Sequence, residues 1–163
     1  PPRRITGVRL RILAVGHRQP VWVDTAVDEY LKRIRPPWRV ELVAIEAVAR
    51  SASGKAEAAT LREGEKVLAA LRDRERVILL DETGKTFTSR EWSQRLQHLA
   101  GESPDLALLI GGPDGHAPAV RARAAESWSL SRLTLPHGLA RVMLAEQLYR
   151  AQSLLLGHPY HRD

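Results

Sequence analysis

Apolar positions recur along the chain with two alternating periods, and that alternation predicts the architecture. Val8–Val15 (VRLRILAV) begins with apolar/polar alternation and becomes wholly apolar before Gly16, as a strand does. Pro20 stands where a helix opens, and Val23, Val27, Tyr30, Leu31 and Ile34 recur at helical spacing until Pro36-Pro37 stops it. Arg39–Val48 alternates at period two and predicts a second strand. Ser51–Gly54 is a polar loop, followed by a helix to about Leu71 that Gly64 weakens slightly. Arg76–Asp81 predicts a third strand, running into a turn at Glu82–Lys85. Thr88 with Glu91 three residues on forms a capping box, and the helix it opens carries Trp92, Leu96 and Leu99 on one stripe. Leu106–Ile110 is the unbroken apolar run of a strand covered on both faces, and it ends in Gly111-Gly112-Pro113-Asp114-Gly115. A short helix over Pro118–Ala125 and a fifth strand near Ser127–Leu130 follow, and a long helix lies between Pro136 and the stop at Gly157 and Pro159.

Strands alternating with helices predict an α/β domain with a mainly parallel sheet, and ordinary connection rules leave such a sheet unknotted. Ligands of open α/β sheets collect at the carboxyl ends of strands, which makes the turn at Gly111–Gly115 the candidate site. It is not a dinucleotide fingerprint, because the G-x-G-x-x-G spacing is missing. Gly84-Lys85-Thr86 imitates the end of a phosphate loop, but Leu79 stands where that loop needs its first glycine. The last helix is apolar on nearly every side, through Leu139, Val142, Leu144, Leu148 and Leu155 among others. One face would cover the sheet and another would need a partner, so a homodimer through this helix is predicted.

Composition narrows the picture only a little. The 163 residues fit one domain. Pro1–Gly7 reads as a disordered or appended extension, which leaves residues 8–163 as the domain. Hydrophobic content of 44% and charged content of 27% are ordinary for a soluble globular protein. Absence of cysteine removes disulfide and thiolate chemistry and fits a cytoplasmic setting. No apolar run approaches the roughly 18 residues that a membrane span requires. The net charge of +6 suits a polyanion, and all but Lys32, Lys55, Lys66 and Lys85 of the 25 basic residues are arginine. Charge alone does not select RNA. His158 and His161 flank Pro159 without a third ligand cluster, so no metal site is expected.

The strings LLIGGPDG, ESWSLSRLTLPH, LARVMLAEQLYRA and HPYHRD, preceded by LRILAVGH and VILLDETGK, stand in a definite order. In that order they resemble the SPOUT-class methyltransferases of the RlmH type, over about Val8 to Asp163. The resemblance implies a C-terminal trefoil knot, a homodimer, and S-adenosylmethionine as methyl donor. It implies N3 of a pseudouridine in 23S ribosomal RNA as acceptor, within the assembled large-subunit context. Family cofactor positions fall on Leu80, Gly111, Leu130, Ser131, Arg132, Leu133, Thr134 and Leu135. Asp114, where the family more often has glutamate, and His116 depart from its pattern.

The acceptor nitrogen carries a proton at neutral pH, so a group must remove it or stabilise the developing anion. Candidates are His137, Glu146, Arg150, Tyr160, His161 and Arg162. Glu146 and Arg150 form an i,i+4 pair on an otherwise apolar helix. Tyr160 would stack on a base, Arg162 would bind phosphate or a base carbonyl, and His161 would assist proton removal. In a dimer this tail would complete the neighbouring subunit's site. Two rivals remain at this point: a transfer-RNA methyltransferase of the same fold, and a non-catalytic RNA- or ribosome-binding module.

Overall fold

The computed structural model describes residues 4–50 and 55–161, the side chain of His161 excepted. The expected loop Ser51–Gly54 and the candidate Arg162 therefore lie outside the described residues. Among the described residues five strands alternate with five helices. The strands are β1 (Val8–Gly16), β2 (Trp38–Glu46), β3 (Arg76–Thr86), β4 (Asp105–Ile110) and β5 (Glu126–Ser129). The helices are α1 (Val21–Leu31), α2 (Ala56–Ala70), α3 (Ser89–Glu102), α4 (Pro118–Arg123) and α5 (His137–Leu156), with a single 3-10 turn at Pro159–His161. Every strand pairing is parallel, in the order β2-β1-β4-β3-β5. The α/β class and the parallel sheet thus follow the expectation.

Side-chain parity divides the core. Leu10, Ile12, Ile78, Leu106 and Leu108 point to the face covered by α3 and α5, where they meet Trp92, Leu96, Leu144 and Leu148. Leu13, Val15, Val77, Leu79 and Leu109 point to the opposite face, against Val67 of α2 and Val120 of α4. Because both faces are covered, β4 is buried at all six positions, and an apolar run replaces alternation there. The capping box at Thr88 is formed as expected, with Glu91 N–H donating to the Thr88 hydroxyl at 3.1 Å.

Three features differ from the sequence reading. First, β3 does not end at Asp81. Leu80 and Lys85 both pair with Trp128 of β5, so residues 81–84 bulge out of the ladder and the expected turn interrupts a longer strand. Second, the proposed extension reaches into the fold: Ile5 packs on the core, and the Thr6 carbonyl accepts from the Trp38 indole N–H at 3.0 Å. Third, the apolar girth of α5 is covered within the chain. Gly138 and Val23, then Ala145 and Val27, and then Gln152 and Arg35 follow one another where α1 and its C-terminal extension run alongside α5. On another flank Ser89 of α3 donates to Gln147 at 2.7 Å. The all-round apolar pattern thus reflects two helices and a sheet, and does not by itself require a partner.

Candidate active site

The carboxyl ends of β3, β4 and β5 surround a cleft of about 550 Å³. That size lies within the range of small-molecule sites. Its floor comes from the strand ends, Leu80 and Ile110, and from Gly111, where β4 passes into the glycine turn. The turn is closed by Gly115 N–H donating to the Gly112 carbonyl at 3.0 Å. Gly115 has φ +81°, a left-handed conformation that favours glycine. Gly112 answers a different demand: a Cβ there would stand 2.7 Å from Glu63 Oε1.

Glu63 is 3% exposed, and it accepts from the Val48 N–H at 2.9 Å and from both terminal nitrogens of Arg50. Arg50 also reaches Asp114 at 3.0 Å, which ties the end of β2 to the glycine turn. This bracket was missed in the sequence because Arg50 and Glu63 belong to no motif, and only the fold brings them to Asp114 of the glycine turn.

The far wall is the segment after β5. Ser131 organises it: its hydroxyl accepts from Leu133 N–H at 2.9 Å, and its carbonyl accepts from the Ser129 hydroxyl at 2.7 Å. Leu130, Ser131, Leu133, Thr134 and Leu135 all line the cleft, whereas Arg132 does not. Leu133 stands 74% exposed at its mouth. The Thr134 hydroxyl donates to Glu82 of the bulge at 3.3 Å, a contact spanning the opening. Asp81 is held below the usual carboxylate range. Burial pushes it up, but hydrogen bonds from Thr83 and the guanidinium of Arg121 outweigh that.

Two histidines line the cleft, and both are pushed below the ordinary imidazole value, chiefly by burial. His116 Nε2 donates to the Leu80 carbonyl at 3.0 Å, so the strand-end acceptor at Leu80 is already engaged. His137, at the first turn of α5, accepts at Nε2 from Arg141 Nε–H at 2.8 Å, and the neighbouring backbone of Gly111 partly offsets the effect of burial. His137 thus stands in the cleft wall, held by Arg141 of its own helix and set against Gly111 of the glycine turn.

The remaining candidates gather elsewhere. Glu146 Oε1 accepts from Arg150 Nε at 2.9 Å and from the Tyr160 hydroxyl at 3.1 Å. The Tyr160 ring packs 4.5 Å from that of Tyr149, and the Arg150 guanidinium lies 5.0 Å from the Tyr160 centroid. Ala140 lines the cleft, while Arg150 lies ten residues further along α5, about 15 Å by helical rise. Glu146 lies six residues beyond Ala140, about 9 Å by helical rise, so within one chain the predicted site is two clusters, one at the first turn of α5 and one from its middle onward. His161 lies in the turn beside Tyr160, and nothing further is described of it. Among the described residues no group of three or more acidic or histidine side chains could hold a metal ion. No helix among them is long and apolar enough to cross a membrane.

Comparison with known proteins agrees with this layout. Residues 8–161 match a family profile described as "Predicted SPOUT methyltransferase". A protein of Chromohalobacter salexigens named ribosomal RNA large subunit methyltransferase H is 48% identical over 155 residues, covering 95% of this chain and all of that relative. Proteins of the same name from Xanthomonas oryzae pv. oryzae and Methylibium petroleiphilum are 47% and 46% identical, covering 95% and 96% of this chain. They are covered over 99% and 100% of their own lengths.

Proposed function

The chain belongs to the SPOUT methyltransferase family, and on that premise we propose that it methylates N3 of a pseudouridine in 23S ribosomal RNA, using S-adenosylmethionine. The relatives named above are large-subunit ribosomal RNA methyltransferases, and 155 aligned residues leave no segment of them unmatched that could supply a different activity. The proposal includes action on the assembled ribosome in the cytoplasm, and the C-terminal threading that the family pattern implies.

The observation that carries the donor assignment is the chemistry of the cleft. Its walls at Leu80, Leu130 and Leu135 are apolar and suit an adenine plate. Its mouth holds three carboxylates: Asp81 is paired with Arg121 and Asp114 with Arg50, while Glu82 is in none of the ion pairs among the described residues and leaves one net negative charge. In a chain of net charge +6 this local excess of acid suits a cationic ligand. When bound, S-adenosylmethionine supplies a methyl group already activated on a sulfonium sulfur. The chain's own work is then to align donor and acceptor and to exclude water. Leu80, Gly111 and the Leu130–Leu135 segment would hold the donor, Arg132 alone of these not being among the residues that line the cleft.

Acceptor chemistry falls to Glu146, Arg150, Tyr160, His161 and Arg162. Arg150 and Tyr160 both aim at Glu146, so that carboxylate is the proton acceptor this geometry favours. Because the cluster lies apart from the cleft, from the middle of α5 onward, a homodimer that sets one chain's tail against the other's cleft would complete the site. Val21, Trp22 and Leu139, exposed by 79%, 57% and 37% at the adjoining ends of α1 and α5, offer an apolar surface for it.

Labelled S-adenosylmethionine, incubated with ribosomes lacking the modification, tests the proposal directly. Label recovered by mass spectrometry on a pseudouridine of the large-subunit RNA is the expected result. Cofactor binding without transfer to that RNA would reject the substrate, and neither binding nor transfer would reject the enzyme.

A further inference from the structure

Arg141 is 4% exposed, on the turn of α5 below His137, and burial pushes its guanidinium below the ordinary value. A buried cation is normally matched by a carboxylate. None of the ion pairs among the described residues includes Arg141, and Asp24 of α1 lends it attraction only from beyond contact. Its Nε–H instead donates to a neutral acceptor, His137 Nε2, at 2.8 Å.

That donor dictates the state of the imidazole. A guanidinium has five N–H groups and no lone pair. Facing it, Nε2 must present a lone pair, so a neutral His137 carries its proton on Nδ1. The other side of the ring is set against the backbone of Gly111, which favours a proton on the ring, so the Nδ1–H is the group that faces the Gly111 carbonyl. Gly16 at the end of β1 leaves room for this arrangement, since a Cβ there would stand 2.8 Å from His137 Nε2. The ring is thus held between β1, β4 and the next turn of its own helix.

The Gly111 carbonyl and the Gly112 N–H belong to one peptide plane. Fixing the carbonyl toward His137 fixes that N–H on the opposite side, and both residues line the cleft. We propose that Arg141 is a positioning residue for the donor cleft: its Nε–H locks His137 as the Nδ1–H tautomer, and His137 in turn sets the Gly111–Gly112 peptide against which the methyl donor binds. The second half of this statement rests on the methyltransferase reading, whereas the tautomer does not.

The test uses the full chain with 15N-labelled histidine, first without cofactor. The nitrogen shifts of wild-type His137 are expected to show Nδ1 protonated and Nε2 bare; the reverse would overturn the proposal without any variant. Arg141→Met removes donor and charge, and Arg141→Lys keeps the charge without the Nε–H. Both are expected to lose the single tautomer and to bind S-adenosylmethionine roughly tenfold more weakly by calorimetry, the order of one lost hydrogen bond. Turnover at saturating donor is expected to stay within about threefold, a split that general destabilisation would not produce. Either variant keeping both the wild-type tautomer and the wild-type affinity would overturn the proposal, and the lysine variant still serves if the methionine one does not fold. Wild-type protein that shows the expected tautomer but binds no S-adenosylmethionine would instead reject the methyltransferase reading.

Discussion

The Tyr160 hydroxyl donates to Oε1 of Glu146 at 3.1 Å, across 14 residues of sequence, and so folds the end of the chain back onto the middle of α5. Burial, and then the charge of Glu146, pushes this phenol up to about 12. Tyr160 therefore remains protonated at every pH at which the enzyme would work and acts as a donor, not a base. Tyr160→Phe keeps the ring packing on Tyr149 and removes only the hydroxyl. We expect methyl transfer to fall about tenfold, on the scale of one hydrogen bond to a charged group, with the pH–rate profile between pH 6 and 9 unchanged in shape. A limb of that profile lost in the Phe variant would assign Tyr160 a proton-transfer step and contradict this assignment.

Gly64 shows a packing demand that a helix-propensity reading inverts. In isolation a mid-helix glycine weakens a helix by roughly 1 kcal/mol relative to alanine. Here a Cβ would stand 2.5 Å from the Ala117 Cβ, because α2 crosses closely over the start of α4. Gly64→Ala is accordingly expected to destabilise the fold by about 1–3 kcal/mol, or roughly 2–10 °C in melting temperature for a domain of this size. A rise in melting temperature would show that propensity wins over contact.

Most of the architecture was legible because it rests on local signals. The capping box at Thr88, the β4 run and the Pro136–Gly157 bounds of α5 each follow from a few neighbouring residues. The order β2-β1-β4-β3-β5 and the bulge at residues 81–84 were not legible, since pairing partners leave no periodic trace. In the candidate site, the cofactor wall came from motif resemblance, and the structure gathers it except for Arg132. The Arg50–Glu63–Asp114 bracket was invisible for the reason the sheet order was: it joins residues whose proximity only the fold creates. The Arg141–His137 bond, between residues four apart on one helix, was open to the sequence by its spacing and was passed over.

Arg11 and Glu75, 8% and 4% exposed, form a buried pair at the start of the sheet, with Arg11 Nε donating to Glu75 Oε2 at 2.7 Å. Burial pushes the Glu75 carboxyl up, but bonds from Arg11 and the Arg72 N–H hold it below the usual range. Removing one partner strands a buried charge, so Arg11→Met is expected to cost about 3–5 kcal/mol in urea unfolding. Adding Glu75→Leu should recover much of that loss, because no charge is then left unpaired. A double variant as unstable as the single one would show that packing around Arg11, not its charge, dominates.

His116 is expected to give the proposed donor cleft a dependence on acid. The imidazole is pushed below its ordinary value by burial, against the smaller opposing effect of its bond to the Leu80 carbonyl, while Arg121 adds repulsion and Asp81 attraction. In the unfolded chain a histidine takes up a proton near pH 6.5, so between that pH and the lower folded value the unfolded state binds more protons. Stability then rises with pH across this window and is lost as pH falls through it. Protonated His116 would place a second cation beside Arg121 at a cleft whose proposed ligand is itself cationic, so affinity for S-adenosylmethionine should weaken in the same window. His116→Gln retains an N–H for the Leu80 carbonyl and cannot titrate. Its cofactor affinity, measured by calorimetry from pH 7.5 to 5.5, is expected to decline less steeply than the wild-type value. Parallel declines in the two proteins would place the acid sensitivity in another group and remove His116 from the account of the cleft.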